Sequence, residues 1–378
     1  MSATAPRRAM IFHVPYPLNP DATSASGIRP VRMRRAFEAL GYEVLEVSGK
    51  HPQRRSRIRD LKRLIRDGKR IDFVYSEAST QPTGLGEKVT AATSVTRDIG
   101  FLRFCRRADI GVGLYYRDVY WRFPEYGTRM PRWYRSFLLT RYRADLRGYR
   151  SAVDVLYLQS LRMAEHLPVA NRGQVRTLPP GAERVEVGSP VSGPVSLLYV
   201  GGIGDAYYRM HEAFRGVGLA ADARLVVCTR ESEWRDVEAG YASVRGPESQ
   251  VVHRSGEQLD ELYADAHLGV LFMEPVAYRD FVLPFKLFEY VGRGKPIVAT
   301  EGTLVGDFVT EHGIGWAVPY RAESLAELLD RLDADPEELH AMQERVRVLR
   351  ESHSWEARAQ QVADDLTHPA GGTTGRAR

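Results

Sequence analysis

Val195-Ser-Leu-Leu-Tyr-Val-Gly-Gly-Ile-Gly204 opens the second of two α/β patterns in this chain. An apolar run without alternation reads as a strand buried on both faces, and the glycines that follow predict a tight turn into a helix over Tyr208–Arg215. Such a turn lets the backbone approach a diphosphate closely, and Gly202 and Gly204 are the candidates for that approach. A plain strand–helix turn explains each glycine equally well. Downstream, the reading continues with a strand at Arg224–Cys228, a helix at Glu257–Ala266 and a strand at Leu268–Phe272. A helix over Phe285–Arg293, a strand at Pro296–Thr300 and three helical stretches within Ser324–Leu366 complete it.

Upstream the same alternation occurs. Strands are expected at Met10–Val14, Glu43–Val47, Ile71–Tyr75 and Ile110–Tyr115. Helices are expected at Pro30–Leu40, with Pro30 in its first turn and Gly41 ending it, at Arg54–Arg66 and at 97–108. Strands alternating with helices imply right-handed crossovers and parallel sheets. The 378 residues exceed what one core usually serves. The fold class is therefore α/β, with two doubly wound Rossmann-like domains. Residues 1–184 form the first and 185–352 the second, joined near 185–194. A helix at 353–368 is placed back on the first domain, and the tail at 369–378 is expected to be disordered.

Composition fits a globular protein, 43% hydrophobic and 27% charged. No stretch approaches the ~20 apolar residues of a membrane span, and no secretory core follows Met1–Arg8, so the expected location is the cytoplasm. Cys105 and Cys228 lie far apart, without a second Cys or His at metal spacing, and read as reduced core thiols. A net charge of +5 favours an anionic partner: nucleic acid, a phosphorylated substrate or an anionic membrane face.

The segment Leu283-Pro-Phe-Lys-Leu-Phe-Glu-Tyr-Val-Gly-Arg-Gly-Lys-Pro-Ile-Val-Ala-Thr300 resembles the donor-binding signature of GT-B glycosyltransferases, nearest to the retaining family four of capsule and exopolysaccharide synthesis. Tyr16-Pro-Leu-Asn-Pro20, Gly27-Ile-Arg-Pro30 and Tyr115-Tyr-Arg-Asp-Val-Tyr-Trp121 resemble the same group. The likeness spans nearly the whole chain in element order, with its specificity in the C-terminal signature. It implies a GT-B fold whose two domains face a central cleft. It also implies a hexosyltransferase using a UDP- or GDP-linked sugar, with no other cofactor and no metal.

The residues support such a donor site on their own terms. A helix beginning at Pro284 and Phe285 presents unpaired N–H groups to a pyrophosphate. Lys286 adds a point charge, and Glu289 lies three residues on, along the same helical face. The resemblance makes Glu289 the ribose ligand. A solvated Lys–Glu pair is the structural alternative. Arg209 is the second candidate for phosphate charge. Many relatives carry another glutamate where this chain has Phe281, beside Asp280 and after Glu274, so the sugar is not specified.

In the first domain, Gly27 and Arg29 occupy the first strand–helix connection, where the family has a glycine-rich loop near the reacting phosphate. Arg117 and Asp118 end a strand where the family usually has a histidine. Asp118 is the candidate for orienting the acceptor hydroxyl, and Arg117 for balancing phosphate charge. A buried Arg117–Asp118 pair is the alternative. Glu77 has the same positional argument, and His13 reads as a packed core histidine.

Between Arg129 and Arg150 seven arginines alternate with Trp133, Tyr134, Phe137, Tyr142 and Tyr149. A helix of this composition suits an anionic membrane surface, and with the basic stretch Lys50–Arg70 it fits a glycan or lipid-linked acceptor at the inner leaflet. A solvated helix with its aromatics in the core is the alternative. Nucleic acid is set aside because no motif for it is present. A GT-B nucleotide-sugar epimerase and an inactive GT-B-like binding or scaffold protein are the competing functions.

Overall fold

The computed structural model describes residues 8–367 apart from 23, 84, 86–90, 168–173, 189, 191–192 and 205–207. The tail expected to be disordered lies outside the described residues. The chain divides into two compact units: residues up to Pro179 together with those from Trp355 onward, and Pro180–Ser354.

The first unit runs β1 (Ala9–His13), α1 (Ala25–Ala39), β2 (Glu43–Val47), α2 (His51–Arg66), β3 (Phe73–Glu77), α3 (Ala91–Arg107), β4 (Gly111–Tyr115), α4 (Arg132–Arg150), β5 (Val155–Leu158), α5 (Leu161–Glu165) and β6 (Val175–Thr177). Its sheet has the order β2-β1-β3-β4-β5-β6, all parallel. Strands β1 and β3 are buried at every residue, apolar at their starts and ending in the polar residues His13 and Ser76-Glu77. The winding direction reverses between β1 and β3, and a ligand crevice is expected beyond their carboxyl ends.

The second unit runs β7 (Val195–Val200), α6 (His211–Leu219), β8 (Ala223–Cys228), α7 (Glu231–Tyr241), β9 (Ser249–Val252), α8 (Gln258–Ala264), β10 (Leu268–Leu271), α9 (Phe285–Gly292), β11 (Ile297–Thr300), α10 (Leu304–His312), β12 (Gly315–Val318), α11 (Ala322–Ala334) and α12 (Pro336–Leu349). Its parallel sheet has the order β12-β11-β10-β7-β8-β9, with the reversal between β7 and β10. The final helix, α13 (Trp355–Thr367), belongs to the first unit and packs on α1 and β4. There Tyr157 donates to Asp365 at 3.2 Å.

Several expected boundaries shift. Helix α1 starts at Ala25, so Pro30 lies inside it rather than in the first turn. The helix expected over Tyr208–Arg215 is His211–Leu219, and that expected over 97–108 begins at Ala91. Both cysteines are buried and unpaired.

Candidate functional site

In the second unit a cavity of about 370 Å³ lies at the carboxyl ends of β10 and β11. Its wall includes Tyr208, Met273, Arg279, Asp280, Lys286 and Thr303, together with Pro284 at the start of α9 and Gly302 before α10. Two helix N-termini therefore border one cavity. Thr303 caps α10, accepting the Gly306 N–H at 3.1 Å. Pro284 offers α9 no side-chain cap.

Lys286, in the first turn of α9, reaches back to the end of β7. Its ammonium donates to the Tyr199 hydroxyl and lies 4.1 Å from the Tyr199 ring centre and 4.6 Å from that of Tyr208. Gly201 makes the approach possible, because a Cβ there would stand 2.5 Å from Lys286 Nζ. Its φ of +147° also suits glycine. Burial lowers the Lys286 pKa to about 7. Glu289, on the same face, is half-buried, and burial raises its carboxyl while Arg293, Lys286 and a hydrogen bond with Tyr263 oppose the shift. Lys286 and Glu289 are thus drawn from water and coupled to each other.

Arg279 was not among the residues singled out from sequence. It sits in the 3₁₀ turn Ala277–Arg279 between β10 and α9, and its guanidinium donates to the Glu274 carbonyl and lies 5.6 Å from the Tyr208 ring. Burial lowers its pKa, and its Nε is buried without a hydrogen-bond partner among the described residues. Its position beyond a strand's carboxyl end was the available signal. Phe281 is fully buried and belongs to the packing.

The other donor-side residues are placed differently. Arg209 pairs with Glu274 at 3.2 Å, with both side chains largely exposed. At the glycine turn, Glu233 from α7 accepts the Ile203 N–H at 3.3 Å, and its carboxylate would lie 3.0 Å from a Cβ on Gly202. One amide of the turn expected to face phosphate is therefore held by an acid of the protein's own. Among the described residues, nothing lies within 4 Å of the corresponding position on Gly204.

The first unit has its own cavity, about 460 Å³, at the reversal between β1 and β3, walled by Tyr16, Asn19, Ser26, Gly27, Gln81 and Arg117 among others. Beneath it the fully buried carboxylate of Glu77 gathers three partners. Arg117 donates to it at 2.9 Å, the Tyr75 hydroxyl at 3.0 Å, and Arg29 Nε lies 3.5 Å away. Arg117 also donates to the Tyr16 hydroxyl at 2.5 Å and to the Ser26 carbonyl. That carbonyl is available because Pro30, four residues on, has no N–H to return to it.

Two sequence expectations are corrected here. Arg29 is not a contact at a helix start: it is 2% exposed, stacked 3.6 Å over Tyr115 and donating to the carbonyls of Leu178 and Pro179. A structural strut explains it, since a buried guanidinium needs most of its donors met. The partner of Arg117 is Glu77 rather than Asp118. Asp118 accepts the Tyr120 N–H at 2.8 Å and caps the turn after β4. Gly27 stands where a Cβ would come 2.4 Å from that of Ala22. His13 is buried, bonded to Ser76 at 2.8 Å and to Asp98 at 3.2 Å, and Arg54 holds the far side of Asp98. This is the packed core histidine expected from sequence.

Residues 210–364 match the family model described as glycosyl transferase-like. No match is found among curated proteins. Among solved structures, HepE of Anabaena in complex with UDP-glucose superimposes with a TM-score of 0.57 at 10% identity, over 95% of this chain and 99% of that one. A glycosyltransferase of Rickettsia africae gives 0.56 at 11%, over 97% and 100%. WaaG, a glycosyltransferase involved in lipopolysaccharide biosynthesis, gives 0.51 at 14%, over 95% and 100%. At these identities the likeness establishes the fold, which is that of GT-B glycosyltransferases.

Proposed function

We propose that this chain is a glycosyltransferase that moves a sugar from a nucleoside diphosphate to a hydroxyl of a glycan or lipid-linked acceptor. The observation that carries the reading is the second-unit cavity, where Lys286, Arg279 and two helix N-termini converge on one volume. A partly desolvated cation held by aromatic faces, beside a helix end without a side-chain cap, suits a diphosphate. The match of residues 210–364 to a glycosyl transferase-like model falls on this unit and supports the assignment.

In this reading Lys286 and Arg279 hold the diphosphate, and Glu289 accepts the ribose hydroxyls. When the bond between the anomeric carbon and the diphosphate breaks, its electron pair goes to the phosphate oxygen. The two cations and the dipole of α9 stabilise that charge. The acceptor oxygen bonds to the anomeric carbon and passes its proton to the departing diphosphate oxygen. We assign the acceptor to the first-unit cavity, with Arg117 and Asp118 on its side of the chemistry, and expect retention of configuration without a metal requirement. UDP- and GDP-sugars are the proposed donors, surface polysaccharide or glycoconjugate synthesis the proposed setting, and the cytoplasm the proposed location.

The test is a thermal-shift screen of purified protein against nucleotide-sugars, followed by assay of nucleoside diphosphate release. A ligand that binds only the folded state adds about 2.7 kcal/mol at a hundredfold excess over Kd. Stabilisation by one donor, lost in Glu289→Ala and accompanied by turnover, supports the transferase. Stabilisation without turnover on any acceptor or water would make the chain a nucleotide-sugar-binding protein.

A further inference from the structure

Helix α4 has two dissimilar halves. Leu138, Tyr142, Asp145, Leu146, Gly148 and Tyr149 are buried, a stripe at helical spacing that anchors the helix to the first unit. The first two turns face outward. Trp133 is 74% exposed, Phe137 43%, and Tyr134 and Met130 38% each. The aromatic rings form a continuous row among themselves: Trp133 meets Tyr134 edge-on at 5.6 Å, and Tyr134 stacks with Phe137 at 6.4 Å. Every residue from Thr128 to Tyr134 is exposed. A contiguous exposed apolar patch of this kind marks an interaction surface.

Along the sequence the patch is rich in arginine, between Glu125 and Asp145. From Tyr126 to Ala144 the chain carries five arginines, at 129, 132, 135, 141 and 143, and no aspartate or glutamate. Arg129 and Arg132 are exposed beside Met130 and Trp133. Purely apolar Phe137 and Met130, amphipathic Trp133 and Tyr134, and the arginines interspersed with them match the layers of an anionic bilayer surface. There the rings sit at headgroup depth and the guanidinium groups meet phosphates. No helix among the described residues is long and apolar enough to cross a membrane, so the contact is one of lying on the surface.

We propose that Thr128–Phe137 is a docking surface for an anionic lipid bilayer, with Met130, Trp133, Tyr134 and Phe137 inserted and Arg129 and Arg132 pairing with lipid phosphates. The proposal stands on the exposed patch and does not depend on the transferase reading.

The full-length chain is mixed with vesicles of phosphatidylcholine, with and without phosphatidylglycerol, and cosedimented at low and high salt. The wild type is expected to pellet with the anionic vesicles only, and less at high salt. Trp133→Ser/Phe137→Ser should lower the partition coefficient about tenfold at both salt concentrations. Arg129→Gln/Arg132→Gln should lower it mainly at low salt. All four side chains are exposed, so the melting curves of the variants should match the wild type and exclude misfolding. Failure of the wild type to pellet with anionic vesicles, or unchanged pelleting of both variants, overturns the proposal. So does a dimer that the aromatic variant dissolves, or binding of a single-stranded oligonucleotide through the same residues.

Discussion

The ammonium of Lys286 fills the space a side chain on Gly201 would need: a Cβ there would lie 2.3 Å from Lys286 Cε and 2.5 Å from Nζ. Helix α9 and the turn after β7 are thereby fitted to each other at one atom. Gly201→Ala should push the ammonium off Tyr199 and weaken diphosphate binding about tenfold or more, the size of a lost hydrogen bond to a charged group. Calorimetric titration with the donor found by screening measures this. Unchanged affinity in a folded variant would remove Lys286 from the phosphate site.

Lys286 also sets a pH dependence. Its folded-state pKa of about 7 lies below the ordinary lysine value of 10.5. The unfolded chain therefore binds more protons between these values. Stability of the free protein should rise with pH across that window, with the full cost of the buried charge present below about 7. Lys286→Met should raise Tm by about 2–4 °C at pH 7 in the absence of ligand, and scanning calorimetry reads the shift.

A diphosphate beside that lysine restores its charge. Donor binding at pH 8 should take up roughly one proton, seen as a buffer-dependent binding enthalpy. In Lys286→Met the uptake should vanish. Equal enthalpies in two buffers for the wild type would mean that the ligand does not meet the ammonium.

Glu77 holds Arg117 directly and Arg29 at 3.5 Å with no water access of its own. Removing its charge leaves two buried guanidinium groups facing a neutral side chain. Glu77→Gln should cost about 3–5 kcal/mol in urea unfolding, as for other broken buried pairs. A loss below about 1 kcal/mol would show that the arginines find water instead.

Gly292, the last residue of α9, packs backbone to backbone, since a Cβ there would stand 2.1 Å from the carbonyl oxygen of Glu183. Neither partner is a flexible side chain. Gly292→Ala should destabilise the second unit by about 1–3 kcal/mol, measured by the urea midpoint. It should also shift the start of α9 and weaken donor binding.

The sequence disclosed the elements that carry a strong local signal. Strands β7 and β10 are apolar runs, and α9 with β11 lies in a segment whose residue types and spacing are distinctive. The elements missed were short or carried a mixed pattern. Val175–Thr177 offers three residues with two exposed, Gly315–Val318 is only half-buried throughout, and α10 is nine residues long. Pairing with a neighbouring strand makes these strands, and no periodicity announces it. The same limit applies to the site. Lys286 was visible because helix position decides what it can reach. The partner of Arg117 was not, because Glu77 comes from another strand. Arg279 was not, because a three-residue turn leaves no pattern. Pro30 misled for a physical reason: proline is favoured in a first turn, yet here it lies inside α1.

That internal proline has a consequence for how this protein can vary. The Ser26 carbonyl belongs to Arg117 only while residue 30 has no N–H to claim it. A change of Pro30 to any other residue gives the helix an N–H that competes with Arg117 for that carbonyl. A change of Arg117 strands the carbonyl instead. Substitutions at the two positions should therefore be tolerated in pairs more readily than singly, and relatives that lack the proline should tend to lack the arginine as well.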